Sequence, residues 1–180
     1  MKAAQRELFG APSALPEGFV YVEEFIDAAA EHALLDAIAR LPLQEARYKQ
    51  YTARRRIALF EDAMPEFLVP LRAKIAAWLA VPEAALRHAL VNEYRPGTPL
   101  GWHRDAPDYG RVAGVSLGGW ARMRLRPYGQ PKVATGDVID LNLAPRSAYR
   151  MEGPARWAWQ HGIPATKALR YPITFRTLRA

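Results

Sequence analysis

The feature that most constrains this chain lies in its second half, where short runs of alternating apolar and polar residues are broken by Gly and Pro from about residue 88 onward. Alternation with a period of two sends successive side chains to opposite faces of an extended backbone, so each run reads as a strand with one buried face. Such segments are expected at 89–94, 101–104, 111–117, 122–126, 136–141, 147–151, 156–161 and 170–177. Short strands in this number suit a jelly roll. The first half reads differently. After a short strand over 19–25, Asp27 is placed to cap a helix carrying Leu34, Leu35, Ile38 and Leu41 at helical spacing until Pro42 stops it. A second amphipathic segment carries Phe67, Leu71, Ile75, Trp78 and Leu79 and is closed by Pro82, with Pro70 expected to kink its first turn. The expected fold is therefore α+β, a double-stranded β-helix (jelly-roll) core with the N-terminal helices bracing one side. No internal repeat or change of composition marks a domain boundary, which leaves a flexible tail over residues 1–18 and a single domain over 19–180, expected to be a monomer.

At 180 residues and 50% hydrophobic composition the chain can build a core without crosslinks. It contains no cysteine, which excludes structural disulfides, Cys-type zinc sites and a thiol nucleophile together. Any metal must be held by His and carboxylates. No run approaches a membrane span, and residues 1–16 lack the continuous apolar stretch of a secretory signal, so the cytoplasm is the expected location. A formal charge of +7 favours an anionic partner such as nucleic acid, with solubility alone as the alternative.

In His103-Arg104-Asp105 two potential ligands stand two residues apart, so on a strand both side chains leave the same face and can meet one ion. A simple hydrogen bond between neighbours would produce the same tripeptide, and a third ligand has to come from elsewhere. The chain has four histidines, at 32, 88, 103 and 161. His32, on an amphipathic helix, and His88, ahead of a strand, read as solvated surface residues, whereas His161 ends a strand-like segment. Two imidazoles and one carboxylate on one side of an ion leave the opposite positions open, as in non-haem iron(II) oxygenases. The segment Arg170-Tyr171-Pro172-Ile173-Thr174-Phe175-Arg176 also alternates: Arg170, Thr174 and Arg176 share one face, while Tyr171, Ile173 and Phe175 fill core from the other. Two arginines on one strand face need an anion, and a dicarboxylate suits a guanidinium fork. Asn92 and Tyr94, also on one face, could donate further hydrogen bonds.

Together these residues resemble the AlkB family of Fe(II)/2-oxoglutarate-dependent dioxygenases over roughly residues 19–180. The likeness is carried by Asn92-Glu93-Tyr94 with Pro96-Gly97, Trp102-His103-Arg104-Asp105, Val115-Ser116-Leu117-Gly118, Gly136-Asp137-Val138, Trp159-Gln160-His161-Gly162-Ile163-Pro164 and the segment 170–176. The resemblance implies a double-stranded β-helix with Fe(II) on His103, Asp105 and His161. It also implies 2-oxoglutarate on Asn92, Tyr94 and Arg170, with Arg176 assisting nearby. The activity it implies is oxidative dealkylation of N-alkylated bases in DNA or RNA. A dioxygenase acting on a protein or small molecule is the alternative, and a non-catalytic β-barrel binding module is a third reading.

Members of that family that repair nucleic acid carry a substrate lid where this chain has residues 44–61. Arg54, Arg55 and Arg56 there could meet phosphates, and Tyr48 or Tyr51 could stack on a flipped base. A solvated basic loop is the plainer reading. Three positions depart from the pattern: Pro107 stands where an acidic residue contacts the base, with Asp108 one place later; Pro172 replaces an asparagine; and Glu61 replaces a glycine after the lid. Arg122, Arg124 and Arg126 read as a solvated sheet face, and Trp120, Trp157 and Trp159 as core fillers. In the tail, Gln5, Leu8 and Phe9 resemble the short peptides by which bacterial replication and repair proteins dock on the sliding clamp.

Overall fold

The computed structural model describes residues 15–48, 51–130 and 135–179. In chain order the strands are β1 (Phe19–Val22), β2 (Gln44–Tyr48), β3 (Tyr51–Glu61), β4 (His88–Glu93), β5 (Leu100–His103), β6 (Tyr109–Val115), β7 (Ala121–Pro127), β8 (Ile139–Leu143), β9 (Ala148–Met151), β10 (Trp159–Ile163) and β11 (Ile173–Leu178). Helices α1 (Ala28–Ile38), α2 (Val69–Leu79) and the short α3 (Gly153–Trp157) complete the elements of interest. All pairings are antiparallel, in a larger sheet ordered β1-β9-β6-β11-β4-β3-β2 and a smaller one ordered β5-β10-β7-β8. This is the jelly roll that the alternation pattern predicts, with helices on one side.

Alternation decides what each face of the larger sheet meets. Ala89 and Val91 of β4, Ala113 and Val115 of β6, and Ile173 and Phe175 of β11 point to one face and join Leu34, Ile38, Leu71, Ile75 and Leu79 of α1 and α2 in a buried cluster. The opposite face looks toward the smaller sheet, where Phe19, Val112, Met123, Leu125, Leu143, Met151 and Ile163 form a second cluster. Asp27 caps α1, its Oδ1 accepting from the Ala30 N–H at 2.7 Å. Pro70 falls in the first turn of α2, where the missing N–H costs nothing, so it starts the helix instead of kinking it. Residues 15–18 already belong to the body: Leu15 packs on the second cluster, and the Glu17 carbonyl accepts from the Ala155 N–H at 2.9 Å.

Several expectations need correction. Residues 156–161 do not begin as a strand, because Gly153 and Pro154 open α3 and the extended backbone starts only at Trp159. Likewise β8 starts at Ile139, after a single 3-10 turn over Thr135–Asp137. Residues 44–61 are not a basic loop: β2 and β3 form a hairpin, and β3 pairs with β4 from Arg56↔Glu93 to Glu61↔His88. Strand β11 begins at Ile173, since Pro172 has no N–H to give; Arg170 nonetheless exchanges two backbone hydrogen bonds with Tyr94, at 2.9 and 3.1 Å. His88 is not a surface residue, its side chain being 16% exposed and its Nδ1 lying 3.2 Å from the Tyr109 hydroxyl. Trp120 is 61% exposed and Trp157 36% exposed, so neither fills core, while Trp159 is half-buried against the second cluster. His32 is exposed as expected.

Candidate metal and 2-oxoglutarate site

The metal cluster follows from strand register. In the antiparallel pair β5–β10, His103 and His161 stand directly opposite each other, which brings the ring centroids to 4.3 Å. Asp105 lies just beyond β5 and folds back so that one ligand atom from each of His103, Asp105 and His161 lies within 4.8 Å of the others. This group could hold a metal ion. The ring orientations suit that role. Nδ1 of His103 donates to the Gly101 carbonyl at 3.0 Å, because a carbonyl only accepts, and this leaves Nε2 as the lone-pair donor. Nε2 of His161 faces Asp105 Oδ2 at 3.8 Å.

The electrostatics keep His161 and Asp105 in their metal-binding forms. Burial lowers the pKa of His161 to about 4, reinforced by His103 and opposed by Asp105, so the imidazole is neutral at pH 7. Burial pushes Asp105 upward, but Arg176, His161 and His103 outweigh it and bring the carboxyl down to about 2. Arg176 contributes directly, its Nε donating to Asp105 Oδ1 at 2.9 Å. The loop that carries Asp105 is fixed by Arg156, which is 2% exposed. Its Nη2 donates to the carbonyls of Asp105, Ala106 and Tyr109 at 3.1, 2.5 and 3.0 Å.

The cluster opens into a cavity of about 490 Å³ between the two sheets, lined also by Asn92, Tyr94, Tyr149, Arg170, Thr174 and Arg176. Arg170 is 1% exposed, and its Nη2 donates to Ser116 Oγ at 3.2 Å, while Nε and Nη1 have no hydrogen-bond partner among the described residues. The Asn92 side-chain oxygen is also buried without a hydrogen-bond partner among the described residues. Burial lowers the Arg170 pKa, yet a guanidinium stays charged at neutral pH, and two of its nitrogens left without an acceptor are costly unless an anion arrives. A carboxylate entering the cavity can accept from Nε or Nη1 together with the second Nη2 hydrogen, so the residues present fit a 2-oxo acid.

Alternation in 170–176 therefore places Arg170, Thr174 and Arg176 toward the cavity as expected, with Ile173 and Phe175 in the core. Arg176 reaches the Asp105 carboxylate, a contact that its strand position alone did not indicate. Arg55 also lines the cavity and donates to the Tyr94 hydroxyl at 2.6 Å. Arg56 grips Glu93 through two hydrogen bonds, at 2.8 and 2.5 Å. These two arginines fasten the β2–β3 hairpin to Glu93 of β4 and to Tyr94 just beyond it. Asp108 is exposed and outside the cavity lining. The side chains of Tyr48, Tyr51 and Arg54, and the tail residues Gln5, Leu8 and Phe9, lie outside the described residues.

One cavity residue escaped the sequence reading. Tyr149 of β9 stands opposite Gly114 of β6, and a Cβ on Gly114 would lie 2.5 Å from the tyrosine ring. The missing side chain makes room for the ring, which stacks on Phe19 at 5.7 Å and lines the cavity. Only the pairing of β6 with β9 reveals this. Burial raises the Tyr149 pKa, so its phenol is protonated.

Residues 18–176 match the 2OG-Fe(II) oxygenase superfamily, and the chain belongs to that family of Fe(II)- and 2-oxoglutarate-using enzymes. Among curated proteins it is 29% identical over 167 residues to uncharacterized protein L905 of Acanthamoeba polyphaga mimivirus, covering 83% of this chain and 74% of that protein. It is 30% identical over 103 residues to the probable RNA/DNA demethylase ALKBH6 of Danio rerio, a match spanning 52% of this chain and 43% of the relative, in line with the AlkB resemblance of the motifs. Among solved structures, OsALKBH1 superposes with a TM-score of 0.68 at 15% identity, covering 92% of this chain and all of that one. A Pseudomonas putida prolyl-4-hydroxylase superposes with a TM-score of 0.65 at 17% identity, over 91% and 93% of the two chains. These superpositions establish the shared fold.

Proposed function

We propose that this oxygenase removes N-linked alkyl groups from bases in DNA or RNA, with Fe(II) on His103, Asp105 and His161 and the distal carboxylate of 2-oxoglutarate on Arg170. The observation that carries the chemistry is the pairing, in one cavity, of the His-Asp-His cluster with a buried guanidinium two of whose nitrogens have no acceptor among the described residues. The substrate class is supported by the name of the zebrafish relative and by the formal charge of +7. Bound together, Fe(II) and 2-oxoglutarate supply oxygen-dependent hydroxylation of a C–H bond, with succinate and carbon dioxide as coproducts.

The protein's own residues bind, orient and exclude water. Arg170 fixes one end of the cosubstrate, with Ser116 holding its guanidinium from behind. Asn92, Tyr94 and Tyr149 line the path between Arg170 and the cluster, and Arg176 keeps the Asp105 carboxylate ionised and oriented. Ile57 and Leu59 of β3 wall the mouth, so the hairpin is placed to shield an incoming base. We also propose a cytoplasmic enzyme whose tail, with Gln5, Leu8 and Phe9, docks on a sliding clamp; Leu8→Ala with Phe9→Ala should abolish micromolar binding of the 1–14 peptide.

Hydroxylation of a protein or small molecule is the second reading, favoured by the exposure of Asp108 and the internal use of Arg55 and Arg56. Succinate release separates the two. Turnover stimulated by methylated oligonucleotides and not by peptides supports dealkylation, and stimulation by peptides or small metabolites alone refutes it.

A further inference from the structure

Arg104, Tyr128 and Trp157 gather at one end of the smaller sheet for a topological reason, and Arg179, just after β11 of the larger sheet, reaches Trp157 there. Strand β10 runs antiparallel between β5 and β7, with His161↔His103 on one side and Trp159↔Pro127 on the other. The end of β5, the end of β7 and the α3 turn that leads into β10 therefore fall side by side. The Arg104 guanidinium sits 3.5 Å from the centroid of the Tyr128 ring and donates to the Trp157 carbonyl at 2.9 Å. Arg156 and Arg179 lie 4.5 and 5.0 Å from the Trp157 ring centroid. Tyr128 is 49% exposed and Trp157 36% exposed, so this is a surface of aromatic rings interleaved with guanidinium groups.

Two further features say what it can hold. A depression of about 340 Å³ lies here, and its lining shares Arg104, Asp105 and Ala106 with the main cavity, so the surface continues the mouth of the site. The carboxylate in that lining, Asp105, is already paired with Arg176, which leaves the ledge positively charged. The arginines expected to hold a nucleic-acid backbone, Arg55 and Arg56, are instead fastened to Tyr94 and Glu93 on the larger sheet. A nucleic-acid substrate then needs its phosphate contacts elsewhere along the mouth.

We propose that this ledge is the track for single-stranded nucleic acid flanking the target nucleotide, with phosphates on Arg104 and Arg179 and a neighbouring base stacked on Tyr128. The inference rests on the nucleic-acid reading above and adds where the strand lies. Guanidinium groups braced on rings are pre-organised for phosphate, and base stacking on an exposed ring is tolerant of sequence, which suits an enzyme that finds one altered base in many contexts.

The test uses the full chain and methylated single-stranded oligonucleotides of three and fifteen nucleotides, with affinity measured by fluorescence anisotropy at several salt concentrations. Tyr128→Ala should weaken binding of the fifteen-mer about tenfold, and Tyr128→Trp, which keeps a stacking surface, should restore it. Arg104→Gln with Arg179→Gln should reduce the magnitude of the fifteen-mer's salt slope by about 1.4, as expected for two lost single-strand phosphate contacts. The three-mer should respond less to each change. If the parent chain binds the fifteen-mer while Tyr128→Ala and the arginine pair bind it equally well with an unchanged slope, the ledge is not the track. A parent chain that binds neither oligonucleotide overturns the nucleic-acid reading itself and the ledge with it.

Discussion

Each residue of the site is held by a neighbour whose loss has a distinct signature. On the proposed reading Arg170 would meet the cosubstrate, and with one Nη2 hydrogen given to Ser116, the other Nη2 hydrogen together with Nε or Nη1 leaves a two-pronged edge available to a carboxylate. Lysine offers a single point charge in its place. Arg170→Lys should raise the apparent KM for 2-oxoglutarate by about tenfold or more, as initial-rate measurements will show, and an unchanged KM would assign the carboxylate to another residue. Gly114 is the complementary case, where an added atom does the damage. The Cβ of Gly114→Ala would meet the Tyr149 ring at 2.5 Å, and the ring is backed by Phe19. Thermal unfolding should report a loss of about 1–3 kcal/mol, with part of it recovered by Tyr149→Leu in the same chain. Full stability in Gly114→Ala would show that the ring moves freely.

At the scale of elements, the β2–β3 hairpin is tied to β4 by charge. Glu93 has a side chain only 5% exposed and accepts from Arg56, from Arg95 at 3.0 Å and from the Tyr171 hydroxyl at 3.3 Å. Arg56, with Arg95 adding, holds the Glu93 pKa below its ordinary value of 4.5 in spite of burial. A carboxyl with a depressed folded pKa contributes stability above its unfolded pKa and loses it as pH falls through the folded one. Unfolding curves for the parent and Glu93→Gln should therefore differ by about 1–2 kcal/mol at pH 7, a value reduced because Arg56 is 40% exposed, and should converge as the pH drops below 4.5. A gap that persists into acid would assign the effect to packing.

Much of this level was legible in the sequence. Asp27 as a cap, the apolar spacing of α1 and α2, and the two faces of residues 170–176 all follow from local periodicity, which a single strand or helix displays by itself. What stayed hidden depends on which strands pair. Tyr149 enters the cavity only because β9 lies against Gly114, and the alternation in 156–161 concealed the turn that α3 makes. The pairing of Arg55 and Arg56 stayed hidden because their partners, Tyr94 and Glu93, are distant in sequence.

For the whole molecule, the fold is a sandwich braced on one face by two helices, and its working space lies between the sheets. The larger sheet presents Asn92, Arg170, Thr174 and Arg176, while the smaller sheet presents His103 and His161 across β5 and β10. The cluster and the buried Arg170 guanidinium thus belong to opposite walls of one cavity. The central claim is that His103, Asp105 and His161 hold one Fe(II) per chain. Anaerobic titration of Fe(II) into the parent chain and into His103→Ala, Asp105→Ala and His161→Ala, with circular dichroism as a check on folding, tests it most directly. Saturation at one Fe(II) per chain in the parent, with affinity at least about tenfold weaker in each folded variant, is the expected result, and parental affinity in any folded variant would contradict the assignment.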